Sequence, residues 1–174
     1  MNVYCVDDSV LHLSRIKQAV TKAFHDKGYK DLVISEYKDG TELMSAISRQ
    51  RPDLITLDIN MPNMDGLSAL AKLRHGKVFC KVIMVSSESE RVVKRLASVN
   101  RFDAEEAKKK EMLAKVVDRV RSGKREEGKI NSILEACASL GMDPIQVARE
   151  LGANAFLQKP YEVDDASRQI REHI

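Results

Sequence analysis

The sequence predicts an α/β fold in which a doubly wound sheet of five parallel strands is flanked by helices. Short apolar runs of strand length alternate along the chain with segments whose apolar residues recur at helical spacing. This alternation is typical of parallel strands joined by right-handed helical crossovers. Four of the runs also end in acidic, hydroxyl or lysine residues, at the carboxyl ends where such sheets bind ligands. With 174 residues, of which 43% are hydrophobic, the chain can form one such domain with a sizeable core.

The strands are expected at the apolar runs, and the helices where apolar residues lie three or four positions apart between Gly, Pro or Asp residues. The predicted strands are Val3–Val6, Leu32–Tyr37, Leu54–Asp58, Lys81–Ser86 and Ala155–Gln158. The predicted helices that flank them run from about Ser9 to Phe24, from Thr41 to before Pro52, from Leu67 to Leu73, and from about Val163 to the last residue.

The interval between the fourth and fifth strands is longer than one crossover requires. Ser86 and Lys159 are 73 positions apart, whereas a crossover with a single helix takes about 20 to 30 residues. Several helices, including a helical hairpin, are therefore predicted in place of one. They are expected at Arg91–Val99, from Asp103 to Ser122, from Ile130 to Leu140 and from Asp143 to Gly152, with a charged turn at Lys124–Lys129.

Composition and charge exclude several classes of protein. The net charge of +3 is small, and the basic helices lack interleaved aromatic residues, so a nucleic-acid partner is not expected. No stretch approaches the ~18 apolar residues of a membrane helix, and the first residues lack the basic region of a signal peptide. The three cysteines show no metal or redox spacing, which favours free thiols. We therefore expect a cytoplasmic protein without a membrane partner.

Polar residues at four strand ends are predicted to meet in one crevice. They are Asp7 and Asp8 after the first strand, Asp58 at the end of the third, Ser86 at the end of the fourth and Lys159 after the fifth. Carboxylates held together in this way require a cation, and Mg²⁺ suits a site with few protein ligands and several waters. Mg²⁺ also neutralises a transferring phosphoryl group. With a lysine and a hydroxyl nearby, the set predicts a site for an aspartyl phosphate.

Four motifs, in this order, resemble the receiver domains of two-component response regulators. They are Val6-Asp7-Asp8-Ser9, the ten residues Leu-Asp-Ile-Asn-Met-Pro-Asn-Met-Asp-Gly from Leu57 to Gly66, Val85-Ser86-Ser87, and Phe156-Leu157-Gln158-Lys159-Pro160. The resemblance covers about residues 1–90 and 143–174. It implies a flavodoxin-like sheet with strand order 2-1-3-4-5 in a single receiver domain, residues 1–174, in which residues 91–143 are a helical insertion replacing the usual fourth-helix region.

The resemblance also implies a role for each residue of the crevice. Asp58 would accept a phosphoryl group from a sensor histidine kinase or a histidine phosphotransfer protein. Asp8 and Asp58 would bind Mg²⁺, with Asp7 contributing directly or through water and the main-chain carbonyl of Asn60 completing the protein ligands. Lys159 would pair with the phosphoryl oxygens.

Further residues are implied to carry the switch and to set its lifetime. Ser86 would turn toward the phosphoryl group, with Ser87 as the rival for this role. Phe156 would be the aromatic residue that turns inward, although it could equally be part of the core. The side chains of Asn60 and Glu88 would flank the site and tune hydrolysis of the acyl phosphate. The pair Asp65-Gly66 is expected to serve the turn rather than the metal.

The function implied is a signalling switch that catalyses its own phosphorylation, rather than a turnover enzyme. About 14 residues follow Pro160, so no output domain is expected. The signal would pass to a downstream protein through residues 91–143 or through the face formed by strands four and five. Two alternatives stay open: a constitutive interaction scaffold that uses the insertion, and a Mg²⁺-dependent phosphohydrolase. Such hydrolases usually place a second Asp two residues after the nucleophile, where this chain has Asn60.

Overall fold

Five parallel strands form one sheet in the order β2-β1-β3-β4-β5. This computed structural model of the protein describes residues 1–87, 103–123 and 127–174. The strands are β1 (Asn2–Val6), β2 (Val33–Tyr37), β3 (Leu54–Asp58), β4 (Lys81–Ser86) and β5 (Ala155–Gln158). The helices are α1 (Val10–Asp26), α2 (Gly40–Ile47), α3 (Gly66–His75), α4 (Asp103–Ser122), α5 (Glu127–Ser139), α6 (Pro144–Glu150) and α7 (Val163–Arg171). The predicted doubly wound sheet and its strand order are confirmed.

The register of the sheet brings the ends of the strands together. Val6 pairs with Leu57, Asp58 with Val85, and Ser86 with Gln158. Each polar residue that ends or follows one of these strands therefore emerges at the same edge of the sheet, because parallel strands share one carboxyl edge. The register alone places the predicted site residues within reach of one another.

Short polar side chains start four of the helices. Ser9, Asp39, Asp65 and Asp143 each accept a hydrogen bond from a main-chain N–H in the first turn of the helix that follows. Such caps satisfy donors that have no partner within the helix. The caps Ser9 and Asp65 fix where α1 and α3 begin, after the loops that follow the crevice residues Asp7, Asp8 and Asp58.

One predicted turn is wrong in part, and one predicted helix is not described. Residues 127–129, which were expected to belong to a charged turn, form the first turn of α5. Apolar residues from Ile130 onward form the buried stripe of α5, and a helix can begin before the first residue of such a stripe. The helix predicted at Arg91–Val99 lies outside the described residues.

The two faces of the sheet carry separate cores. On one face, α1 and α7 cover buried strand residues such as Val3, Cys5 and Ile83. On the other face, α2 and α3 cover Ile55 and Met84, among others. Because alternate strand residues point to opposite faces, each strand contributes to both cores. The near-continuous apolar runs of the sequence are thus explained by burial on both sides.

Helices α4 and α5 belong to the core on the second face. Val116 of α4 and Ile130 of α5 are each only 1% exposed, and they lie in the same apolar cluster as Leu73 of α3. The described helices α4 and α5 are therefore packed into the fold rather than attached at its surface. Within the described residues, no helix is both long and apolar enough to cross a membrane.

The packing of α4 predicts a stability difference between two valines. Val116→Ala should lower the free energy of unfolding by about 2 kcal/mol, because it removes two buried methyl groups and leaves a cavity. Val10→Ala, at a helical valine that is 77% exposed, is the matched control and should change it by less than about 0.5 kcal/mol. Urea unfolding followed by circular dichroism measures both. Equal effects of the two substitutions would show that α4 is not part of the core.

Candidate functional site

The Lys159 ammonium lies between two buried carboxylates at the carboxyl edge of the sheet. Its Nζ is 2.7 Å from Oδ2 of Asp7 and 3.2 Å from Oδ1 of Asp58. The three residues are between 3% and 9% exposed. The ion pairs are therefore shielded from water, where Coulomb interactions are stronger than at a surface. They join the ends of β1, β3 and β5.

Main-chain hydrogen bonds beyond the strand ends hold these residues in place. The Lys159 N–H donates to the Ser86 carbonyl at 2.7 Å, and the Ile59 N–H donates to the Val85 carbonyl at 3.0 Å. Both bonds extend the sheet ladder past the last paired residues. The side chains that leave the sheet at Asp58 and Lys159 thus start from fixed backbone positions, as precise chemistry requires.

Three carboxylates form an oxygen-rich cluster at the same edge. Oxygen atoms of Asp7, Asp8 and Asp58 lie within 4.8 Å of one another. Asp8 is exposed, whereas the other two are buried, so the cluster opens to solvent on one side. Three negative charges face the single ammonium of Lys159. An all-oxygen donor set with excess negative charge and an open side fits a hard divalent cation such as Mg²⁺.

Asp7 is further oriented by the start of α1. Its Oδ1 accepts a hydrogen bond from the Ser9 main-chain N–H at 2.9 Å and lies 3.5 Å from Nδ1 of His12. Oδ2, in contrast, faces Lys159. The two oxygens of Asp7 therefore have different partners, and the carboxylate has one preferred orientation. Sequence reasoning did not connect His12 with this site.

The pKa of the Asp58 carboxyl is raised above its ordinary value, and burial is the main cause. Lys159 lowers this pKa, because the ammonium favours the ionised carboxylate, while the negative charge of Asp7 raises it. Because burial and Asp7 together outweigh Lys159, ionised Asp58 would be stabilised by an additional positive charge nearby. A cation at the cluster would provide such charge.

Gly66 allows the loop after β3 to fold back against Asp58. A Cβ atom at residue 66 would lie 2.1 Å from the main-chain oxygen of Asp58, and the Gly66 N–H donates to the Ile59 carbonyl at 2.9 Å. Asp65 caps α3 by accepting from the Ser68 N–H. The pair Asp65-Gly66 thus serves the turn, as predicted, and the turn sets the backbone position of Asp58.

A second link supports this loop and was not found from the sequence. Asn63 has a φ of +60°, and its side-chain amide donates to Oδ2 of Asp39 at 2.7 Å. This bond is the main reason that the pKa of Asp39 is lowered. Asp39 also caps α2. The only sequence signal was the turn pattern Asp39-Gly40-Thr41, which does not reveal a partner 24 residues away.

The remaining predicted residues occupy different environments. Ser86 is 3% exposed at the end of β4, whereas Ser87 is exposed, so Ser86 is the hydroxyl at the buried edge. Asn60 is exposed at the start of the loop after β3. Phe156 is half-buried, with the Arg149 guanidinium 5.2 Å from the centre of its ring. Glu88 lies outside the described residues.

Tyr161 is a neighbour of the site that sequence reasoning missed. Its hydroxyl is buried without a hydrogen-bond partner among the described residues. Burial is the first cause that raises its pKa, and the charge of Asp7 is the second. The only sequence signal is its position two residues after Lys159, between the Phe156–Pro160 motif and the predicted last helix.

Comparison with known proteins gives consistent matches. A family model described as "Response regulator receiver domain" matches residues 3–120. A chemotaxis protein CheY from Listeria monocytogenes is 36% identical over 87 residues, which are 50% of this chain and 68% of that protein. A protein-glutamate methylesterase/protein-glutamine glutaminase from Archaeoglobus fulgidus is 44% identical over 87 residues, which are 50% of this chain but only 23% of that enzyme.

Solved structures share the fold. The crystal structure of the CheX–CheY–BeF₃–Mg²⁺ complex from Borrelia burgdorferi superposes with a TM-score of 0.57 at 20% identity, and the match covers 99% of this chain and 88% of that one. At 20% identity, this similarity shows a shared fold and nothing more specific. The family model, in contrast, ends at residue 120, within α4.

The close approach of Gly66 predicts a large effect of one added methyl group. Gly66→Ala should lower the free energy of unfolding by about 1–3 kcal/mol, because the Cβ can be accommodated only if the Asp58 backbone moves. Gly76→Ala is the control: its Cβ would lie 3.3 Å from the nearest atom and its φ is −73°. Thermal or urea unfolding of both variants tests this, and a Gly66→Ala protein as stable as the control would contradict the close approach.

The raised pKa of Asp58 predicts a pH-dependent gain in stability on neutralisation. The folded state holds this proton more tightly than the unfolded state, so ionised Asp58 costs stability above its folded pKa, and the cost disappears as the pH falls through that value. In EDTA, Asp58→Asn should therefore be more stable than the wild type at neutral pH, and the difference should shrink toward pH 4. Urea unfolding across this pH range measures it. A variant that is less stable at neutral pH would contradict the dominant role of burial.

Proposed function

Because the chain belongs to the response regulator receiver domain family, we propose that it is a phospho-accepting signalling switch whose acceptor is Asp58. The observation that carries the proposal is the placement of Lys159 between Asp7 and Asp58, next to the carboxylate of Asp8. The donor in this proposal is a phosphohistidine on a sensor histidine kinase or a histidine phosphotransfer protein.

Phosphoryl transfer at this site needs little beyond position and charge. A carboxylate oxygen of Asp58 forms the new O–P bond while the N–P bond of the donor phosphohistidine breaks, and the imidazole leaves with that electron pair. The Lys159 ammonium, already 3.2 Å from Asp58, offsets negative charge on the phosphoryl oxygens. Because Asp8 is exposed, one side of the site is open to solvent. A donor can approach from that side.

Magnesium is part of the proposal because the donor set fits it. Asp7, Asp8 and Asp58 would hold the ion together with the main-chain carbonyl of Asn60. The ion would supply positive charge that stabilises the phosphoryl group in transfer. The protein's own part is to hold the carboxylates in place, through Ser9 on Asp7 and through the Gly66 turn behind Asp58.

We assign the conformational response to Ser86 and Phe156. Ser86 is buried at the site edge, so its hydroxyl can reach a phosphoryl group on Asp58 with a small movement. Phe156 lies three residues before Lys159 and contacts Arg149 of α6. A movement of Phe156 would break this cation–π contact and change the surface of α6. Asn60 and Glu88 are proposed to tune the lifetime of the phosphoryl group.

Residues 91–143 are proposed to be an insertion within one receiver domain spanning residues 1–174. The support is that α4 and α5 share the apolar core of α2 and α3. Both helices also have exposed residues, such as Lys108 and Glu111 of α4. We propose that a downstream protein binds here or on the β4–β5 face, and that phosphorylation controls this binding. A constitutive scaffold would bind it equally well without phosphorylation.

The matched methylesterase is an enzyme of which this chain spans 23%, and the crevice of this chain has Asn60 where a phosphohydrolase usually has an acid. We therefore propose a switch rather than a turnover enzyme. Catalytic release of phosphate from p-nitrophenyl phosphate would refute this proposal.

Cys5, Cys80 and Cys137 are all free thiols. Free thiols support the proposed location in the reducing cytoplasm.

Phosphorylation of Asp58 can be tested with a small donor. Incubation of the wild type with acetyl phosphate and Mg²⁺ should add the mass of one phosphoryl group, detected by mass spectrometry. Asp58→Ala should not gain it, because the acceptor oxygen is gone, and EDTA should abolish it in the wild type. Asp31→Ala, which removes an exposed carboxylate, is the control and should react normally. An adduct that survives in Asp58→Ala would show that another residue is the acceptor.

A further inference from the structure

A second cavity lies at the opposite edge of the sheet from Asp58. It has a volume of about 390 Å³ and is lined by the end of α3, the start of β4, the last turns of α4, and the end of α6. This volume is within the range of about 300–1,000 Å³ that small-molecule sites occupy. The cavity reaches Lys81, whereas the acceptor edge begins at Ser86. Five steps of about 3.3 Å along β4 put the two about 17 Å apart.

The lining of this cavity is mainly cationic around an apolar floor. Val120 and Leu151, each 4% exposed, form part of the floor. Around it stand four cations and one carboxylate: Arg74, Lys77, Lys81 and Arg121, with Glu150. Within residues 1–87, 103–123 and 127–174, none of the four cations has an ion-pair partner.

The negative ends of three helices offset only part of this positive charge. The C-termini of α3, α4 and α6 converge here, and each carries about −0.5 elementary charge. Arg74 is engaged with such groups, because its guanidinium donates to the carbonyls of Val78 at 2.7 Å and Gly152 at 2.8 Å. Three half-charges and the Glu150 carboxylate leave an excess of roughly one to two positive charges. That excess fits an anion.

The backbone at Lys77 provides an independent observation. The Val78 N–H donates to the Leu73 carbonyl and the Lys77 N–H to the Arg74 carbonyl, which together form a Schellman motif after α3. The residue in the left-handed conformation of this motif is ordinarily Gly, but here it is Lys77, with a φ of +56°. A lysine therefore occupies a position where glycine would be more stable, and its side chain lines the cavity.

An aromatic ring completes the cavity. Phe79 is 77% exposed and stands at its rim. A phenyl ring beside cations suits a ligand that has both a planar or apolar part and a negative group, because the ring can stack on the former while the cations bind the latter. We infer that this cavity, formed partly by α4 and α6, binds a small organic phosphate with an aromatic body, and that it is a ligand site separate from the Asp58 crevice.

Binding is tested on the full chain with three probes by calorimetry. AMP carries both charge and ring, inorganic phosphate only charge, and adenosine only the ring. AMP should bind saturably and at least about tenfold more tightly than either of the others, because only AMP makes both kinds of contact. Cys80, half-buried in the cavity wall, should be alkylated more slowly when AMP is bound. Absence of saturable AMP binding, or equal affinity for phosphate and AMP, would overturn the inference.

Variants separate a binding role from a structural one. Lys77→Gly should raise the melting temperature, because it relieves the left-handed strain, yet weaken AMP binding by about tenfold. Lys81→Gln should weaken it similarly, and Phe79→Ala should reduce the preference for AMP over phosphate. Lys30→Gln, at an exposed lysine outside the cavity, should change AMP affinity by less than about twofold. Unchanged affinity in Lys77→Gly and Lys81→Gln would overturn the assignment.

Independence from the acceptor site can be checked with one more variant. Asp58→Ala should bind AMP as the wild type does, because the cavity lies at the other edge of the sheet. Loss of AMP binding in Asp58→Ala would place the ligand in the crevice and refute the separate site. Failure of AMP to bind the wild type would leave phosphorylation of Asp58 unaffected, so the two proposals fail separately.

Discussion

The salt bridges of Lys159 with Asp7 and Asp58 are the interaction on which the functional edge of this protein depends. They connect the ends of β1, β3 and β5 at distances of 2.7 and 3.2 Å in a buried setting. Burial of three ionisable groups is costly unless each has a partner. Here the partners come from strands far apart in sequence, so the site exists only when the whole sheet is in register.

The negative excess of this cluster distinguishes it from a balanced structural salt bridge. One ammonium cannot neutralise three carboxylates, and Asp8 leaves the cluster open to solvent. The pKa of Asp58 is raised mainly by burial, and the negative charge of Asp7 adds to this rise. A site that is short of positive charge, rigid in its backbone and open on one side is suited to accept a cation and then a phosphoryl group. The described helices α4 and α5 pack against α3, in the core on the second face of the sheet.

Much of this could be predicted from the sequence, and the reasons are local. The strands Leu54–Asp58, Lys81–Ser86 and Ala155–Gln158 have the predicted bounds, because both faces are buried and the apolar runs end at polar residues. What the sequence could not give were contacts made through space. The bond between Asn63 and Asp39, and the approach of His12 to Asp7, depend on how loops cross between elements. The start of α5 is earlier than predicted because residues 127–129 (Glu-Gly-Lys) include no apolar residue that could extend the periodic signal.

Burial raises the pKa of the Asp58 carboxyl, and the Lys159 ammonium limits this rise. Carboxyl carbon NMR of Asp58, titrated with pH in the absence of metal, measures it directly in the wild type and in Lys159→Met. We expect a pKa above the ordinary value of 3.8 in the wild type, and a still higher pKa in the variant, because the ammonium that favours the carboxylate is lost. An ordinary pKa for Asp58 in both proteins would show that neither burial nor Lys159 affects its ionisation.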